Sequence, residues 1–412
     1  MKQRILLFFS IFFYFILIFL IGKFFFALID GEGAIKDIFS IIYHGLPLDL
    51  SMSGYLSVIP AIILITSIWF KPKYVAKVYN VYYIIILSII AIVTIVDIVV
   101  YPYWGFHFDS AVFLYLQKPK EVFASSSVLE IVLGIVATTA FAFAAYIGYI
   151  FIIRKQILLL KVPKSIPKTS AVLILLTGIL FLPIRGGVTV STMNVGKVYF
   201  SDNMFLNHAA INPCFNLMYS FFKSDNFVSQ YQFFDKDEAA KIFSELNPKN
   251  ESDSSIVLLN TQRPNIVLFI LESFSADVAF DSVIAPNMSR FAEEGIAFKN
   301  FYANSFRTDR GLVSVLAGYP AHPTVAIMKY PQKTESLPTI PKSLKQVGYE
   351  NLSFYYGGDA DFANMRSFFV GACGIKDVIS DKSFPLSERM TKWGAPDKFV
   401  IKRSLGSPPT LR

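Results

Sequence analysis

Two side chains, about three dozen positions apart, carry the chemistry worth pursuing in this chain. The segment PNIVLFILES delivers one carboxylate, Glu272, to the C-terminal end of an unbroken apolar run. Further on, NSFRTDRGLVSVLAG places a hydroxyl, Thr308, at the expected start of a helix. A strand-end acid and a helix-start hydroxyl are the two halves of a metal-activated nucleophile. Threonine attacks poorly until a metal or base takes its proton. The free N–H groups and positive dipole end of a helix favour an alkoxide or a bound phosphoryl group. Arg307 and Arg310 flank the hydroxyl and can hold an anion. Each half also has a plain structural role: Glu272 can cap the turn after its strand, and Thr308 can be a helix N-cap.

The elements that must position these groups are legible around them. Residues 266–271, IVLFIL, read as a strand buried on both faces of a parallel sheet. Further strands are predicted over 296–303 and 351–356. Helices are predicted over 285–295, Thr308–Ala317, 337–347 and 361–370, with glycines closing the first three. This order predicts an α/β domain with a mostly parallel, doubly wound sheet, whose ligands bind beyond the carboxyl ends of the strands.

The rest of the chain says where such a domain sits. Of its 412 residues 54% are hydrophobic, with a mean hydropathy of +0.49, which places it among membrane proteins. Apolar runs of bilayer-crossing length occur at about 5–29, 47–70, 79–101, 128–153 and 169–187. The first is too long for a signal peptide and lacks a small-residue cleavage site before Asp30, so it reads as a retained helix. The net charge of +8 is better explained by topology than by nucleic acid. Lys2 and Arg4, then Lys71, Lys73 and Lys77, then Arg154, Lys155, Lys161, Lys164 and Lys168 fall at alternate ends of the runs. The positive-inside rule puts the N-terminus in the cytoplasm and, after five crossings, everything beyond about 188 outside. YPYWGFHF at 101–108 reads as an interfacial aromatic cluster. Asp97, one turn inside it, reads as a carboxylate near enough to the surface to be solvated.

Residues 1–187 are thus expected to form a five-helix transmembrane domain. Residues 188–262 form a juxtamembrane linker with amphipathic helices, in which NESDSS at 250–255 is a solvated boundary. Residues 263–412 form the first part of an extracytoplasmic catalytic domain. Cys214 and Cys373 read as unrelated thiols. The scattered His44, His107, His208 and His322 make no helical metal motif.

PNIVLFILES with Glu272, NSFRTDRG with Thr308, YYGGDADFANMRSFF and WGAPD at 393–397 together resemble the lipoteichoic acid synthase family. Its members are five-span enzymes with an outward-facing sulfatase-type domain of the alkaline phosphatase superfamily. The resemblance implies a Mn²⁺-dependent phosphoglycerol transferase. Thr308 would attack the phosphorus of phosphatidylglycerol, diacylglycerol would leave, and an acceptor hydroxyl on an envelope glycan or glycolipid would take the glycerophosphate. Glu272 and Thr308 match the family's metal-ligand positions. Arg310, Asn364 and Arg366 are the expected substrate-binding residues, and nucleic acid is not an expected partner. True sulfatases carry a cysteine-derived formylglycine in C-x-P-x-R; Thr308 stands there, with Arg310 two residues on. Phosphoethanolamine transferases, sulfatase-like hydrolases and a non-catalytic scaffold are the alternatives. The family's pocket histidine and tryptophan are absent, with Tyr356 and Ala363 near their places. Its remaining metal ligands, an Asp-His pair, are expected well downstream of WGAPD, whereas the chain stops fifteen residues after Asp397. The resemblance therefore implies an incomplete, truncated member that binds Mn²⁺ weakly and shows no measurable turnover, unless Asp309, Asp359 or Asp361 completes the site.

Overall fold

Helices that satisfy their own backbone dominate the first half of the chain, as an apolar environment demands. The computed structural model describes residues 1–30, 32–109, 112, 128–188, 191–223, 233–246, 260–261, 263–305, 307–322, 325–391 and 393–406. Among the described residues, five helices are long and apolar enough to cross a membrane: α1 (Lys2–Ala27), α2 (Ile38–Thr66), α3 (Pro72–Trp104), α4 (Val128–Leu158) and α5 (Ile166–Arg185). Each overlaps one expected run, and α2 and α3 begin earlier than their runs.

Tyrosines hold this bundle together. Phe15 of α1 stacks on Tyr83 of α3 at 5.6 Å, and Tyr83 on Tyr149 of α4 at 4.2 Å. Pro60 inside α2 has no N–H, which frees the carbonyl of Leu56. The Tyr82 hydroxyl donates to that carbonyl at 2.5 Å, and the Tyr79 hydroxyl donates to the Pro60 carbonyl at 2.6 Å. At one end Arg4 donates to the carbonyls of Lys161 (2.7 Å) and Ser67 (3.2 Å), so the start of α1 meets the end of α2 and the loop after α4.

The other end is also polar and buried. Lys23 of α1 pairs with Asp49 of α2 at 2.5 Å, and Asn212 donates to the same carboxylate at 2.9 Å. Asp97 is 1% exposed rather than solvated. Its two oxygens take His107 Nδ1 at 2.6 Å and the Phe108 amide at 3.1 Å. A buried carboxylate is tolerated only with such partners, and here the chain after α3 folds back to supply them. His107 thereby leaves the surface cluster expected over 101–108. Its ring is biased toward the charged form: burial works against the charge, and the Asp97 carboxylate with the His208 carbonyl outweighs it. The linker contributes α6 (Met204–Ala210), α7 (Pro213–Lys223) and α8 (Lys236–Leu246). The boundary expected at 250–255 and the tail 407–412 lie outside the described residues.

The chain divides into two compact units. One joins Met1–Lys223 with Asn304–Arg412, and the other is Ser224–Ala303. In the second unit, α9 (Pro286–Glu294) forms as expected, but the runs 266–271 and 296–303 are not strands. Val267 is 75% exposed and Phe301 80%, and none of the unit's described residues is buried. A strand needs a hydrogen-bonded neighbour and a covered face, and among the described residues neither run pairs with one. Among the described residues the expected doubly wound sheet is two parallel strands, β1 (Ser353–Tyr355) and β2 (Asp377–Ile379), with Phe354 opposite Val378. The expected helix over 361–370 is also broken. Ala363 and Asn364 adopt left-handed φ of 54° and 62°, which an α-helix cannot contain, before a wider turn over Phe368–Ala372.

Candidate active site

Thr308 opens α10 (Thr308–Ala317), and Arg307, in extended conformation, holds the cap position. Thr308 is therefore the first helical residue rather than its N-cap. The helix ends at Gly318 with φ 65°, the left-handed closure that its sequence predicts. Leu312, Val313 and Leu316 anchor it in a small core with Met328, Met365, Phe368 and Cys373. Burial in that core pushes the Cys373 thiol up to about 12, which leaves it inert. Thr308 itself is half-buried.

Beside it, Asp309 is 7% exposed. One of its oxygens lies 3.6 Å from the Lys329 ammonium, and the other has no hydrogen-bond partner among the described residues. Lys329 is the residue that sequence reasoning missed. Its side chain meets Asp309 and its carbonyl accepts from Asn364 Nδ2 at 3.0 Å. It thus joins the start of α10 to the segment expected to bind substrate. Nothing in its local sequence marks it; only the fold brings it there.

Asn364 is buried, and its left-handed conformation aims the amide at Lys329. Arg366 is taken by Asp361 at 2.6 Å, and Lys382 reaches the other Asp361 oxygen at 2.7 Å. Burial works against the Asp361 charge, but the two cations win and hold its carboxyl below the usual range. Asp359 accepts from Ser191 at 2.5 Å and from the amide of Asp361 at 3.0 Å. Two of the carboxylates that could complete a metal site are thus already engaged. Among the described residues no group of three or more His, Cys, Asp or Glu side chains comes together to hold a metal ion. Glu272 is exposed, on a turn with Ser273 at φ 56°, and belongs to the second compact unit. Arg310, two residues after Thr308, lies partly buried in α10.

A backbone junction ties two further motifs together. The amide of Ala395 donates to the carbonyl of Gly357 at 2.9 Å. Gly394 (φ +119°) lies so near that a Cβ there would be 2.0 Å from the Gly357 oxygen. YYGG and WGAPD therefore meet across bare backbone.

Residues 264–405 match the Sulfatase family. The matched segment contains Glu272, Thr308, Lys329, Asn364, Arg366 and both glycines of the junction. The chain thus carries a sulfatase-family domain behind N-terminal apolar helices. No solved structure matches the chain. Enzymes of this family are generally divalent-metal dependent, yet the described residues of this chain do not assemble a ligand cluster for such an ion.

Proposed function

We propose that this chain is a membrane-anchored, sulfatase-type phosphotransferase with Thr308 as its nucleophile, of the phosphoglycerol transferase kind found in the lipoteichoic acid synthase family. The observation that carries the reading is a threonine at the first position of α10 inside the sulfatase-family match. A hydroxyl that opens a helix lies at its positive dipole end, which suits phosphoryl oxygens.

The reaction is the one that the resemblance implies. Thr308 Oγ attacks the phosphorus of phosphatidylglycerol. A phosphorus–threonine bond forms, the bond to diacylglycerol breaks, and the hydroxyl proton ends on the departing alcohol. An acceptor hydroxyl of an envelope glycan or glycolipid then attacks the same phosphorus, the phosphorus–threonine bond breaks, and the acceptor's proton ends on Thr308 Oγ. Arg310 is assigned to the non-bridging oxygens, whose planar charge suits a guanidinium. Asn364 and Arg366 are assigned to the glyceryl end. Glu272 and Thr308 are the positions at which the resemblance implies Mn²⁺ or another divalent ion, which would lower the hydroxyl pKa; no step here runs through it. The basic loops at 71–77 and 154–168 favour a bacterial cytoplasmic membrane with the N-terminus inside and the domain outside.

The test is release of diacylglycerol from labelled phosphatidylglycerol by the purified chain in lipid. In any form of the protein that turns over phosphatidylglycerol, Thr308→Ala is expected to lose that turnover by several orders of magnitude while still folding, and Thr308→Ser to keep a part. Equal rates for the alanine variant and the unaltered chain would remove the covalent mechanism. Release of free glycerophosphate instead of transfer would make the enzyme a hydrolase.

A further inference from the structure

The linker helix α7 does not simply lie beside the bundle; it wedges between α2 and α3. Its residues Cys214, Leu217, Met218 and Phe221 follow the i, i+3, i+4, i+7 spacing of one helical face. Met52 and Leu56 of α2 form the second wall. Ile86, Ile89, Ile90 and Val93 of α3, again at helical spacing, form the third. These three faces do not close on one another. They leave a cleft of about 290 Å³ lined only by apolar side chains.

Helix interfaces normally pack to crystal-like density, so a gap of this size between three matched faces calls for an occupant. Water is excluded, because a buried water needs two to four polar partners and the lining offers none. What fits a narrow apolar cleft between helices of bilayer-crossing length is an unbranched hydrocarbon chain. We infer that the α2–α3–α7 cleft binds one acyl chain of a membrane phospholipid. The inference rests on reading α1–α5 as membrane-spanning, and it adds to the proposed transferase a place where its lipid substrate is held by the tail. Phe221 and Phe222, 55% and 80% exposed, stand at the C-terminal end of α7, where the chain would enter.

The experiment uses the full chain in phosphatidylglycerol vesicles doped with a phosphatidylglycerol carrying a diazirine midway along one acyl chain. After irradiation, labelled peptides are mapped by mass spectrometry. Labelling of 213–223 is expected to exceed severalfold that of 128–149 in α4, whose exposed Leu129, Val132 and Val136 report ordinary surrounding lipid. Leu217→Trp should bring the ratio down to one by filling the cleft. Ile89→Trp should do the same from the opposite wall, so that overpacking damage in one helix is separated from site blockage. A ratio near one in the unaltered chain, or a high ratio that neither tryptophan lowers, means surrounding lipid only and overturns the site. Labelling needs no turnover. Cleft labelling without diacylglycerol release therefore sinks the transferase reading alone, and release without cleft labelling sinks the acyl site alone.

Discussion

Phe15 and Val267 sit in comparably apolar stretches, FFYFILIFL and NIVLFIL, and meet opposite fates. Phe15 is fully buried against Tyr83, whereas Val267 is 75% exposed. The difference lies in the backbone. A helix closes its own hydrogen bonds, so α1 exists before anything packs on it. An extended run leaves its N–H and C=O groups to be satisfied by a neighbour, and 266–271 finds none among the described residues. Apolar sequence demands cover in both regions. Only in the helical one does it also dictate the structure.

The largest loss of stability is expected at the buried end of the bundle. Lys23→Met strands Asp49 with Asn212 as its remaining polar partner, and loss of one member of a buried pair costs about 3–5 kcal/mol. The thermal unfolding temperature in detergent should fall accordingly. Pairing the change with Asp49→Leu should restore most of the loss, and an unchanged midpoint in the single variant would mean the pair is not buried as described.

Gly394→Ala is the next largest. It forces a left-handed, crowded backbone, and strain of about 1–3 kcal/mol is expected before any rearrangement. Limited proteolysis between 358 and 393 should accelerate; resistance like that of the unaltered chain would mean that the junction does not hold the two segments together.

A smaller effect is read by pH. The Asp361 carboxyl is held below its ordinary 3.8, so its contribution is present above that value and is lost as pH falls through the lower, folded one. The stability gap between the chain and its Asp361→Asn variant should therefore be constant from pH 7 to about 5 and shrink in stronger acid. A gap that widens on acidification contradicts the ion pairs with Arg366 and Lys382.

The smallest change sharpens the contrast. Val267→Ser alters a side chain that touches little, and is expected to shift stability by less than about 0.5 kcal/mol. A loss of several kcal/mol would show that 266–271 is covered after all.

These contrasts also explain what was legible in the chain. The five long helices were, because span length and composition are local properties. So was α10 with its glycine stop, since that closure is written within one segment. The strands at 266–271 and 296–303 were misjudged because pairing is not local. The break at Ala363 and Asn364 escaped because neither residue type demands a left-handed backbone. In the site, Thr308 was readable from its position, but Lys329 and the Asp361 pairs were not, as each joins residues that only the fold brings near. Asp97 reads as solvated in the sequence because its partner His107 returns from beyond the helix end.

The glycine junction has a consequence for inheritance. Any coding change at Gly357 or Gly394 attaches an atom where another segment's backbone already lies. The two stretches are therefore bound to drift as one block, although 36 residues separate them in the gene product. Recombination between diverged copies with a crossover inside that interval would join halves fitted to different partners. The seam, rather than the residues around Thr308, is where such chimaeras would first fail to assemble.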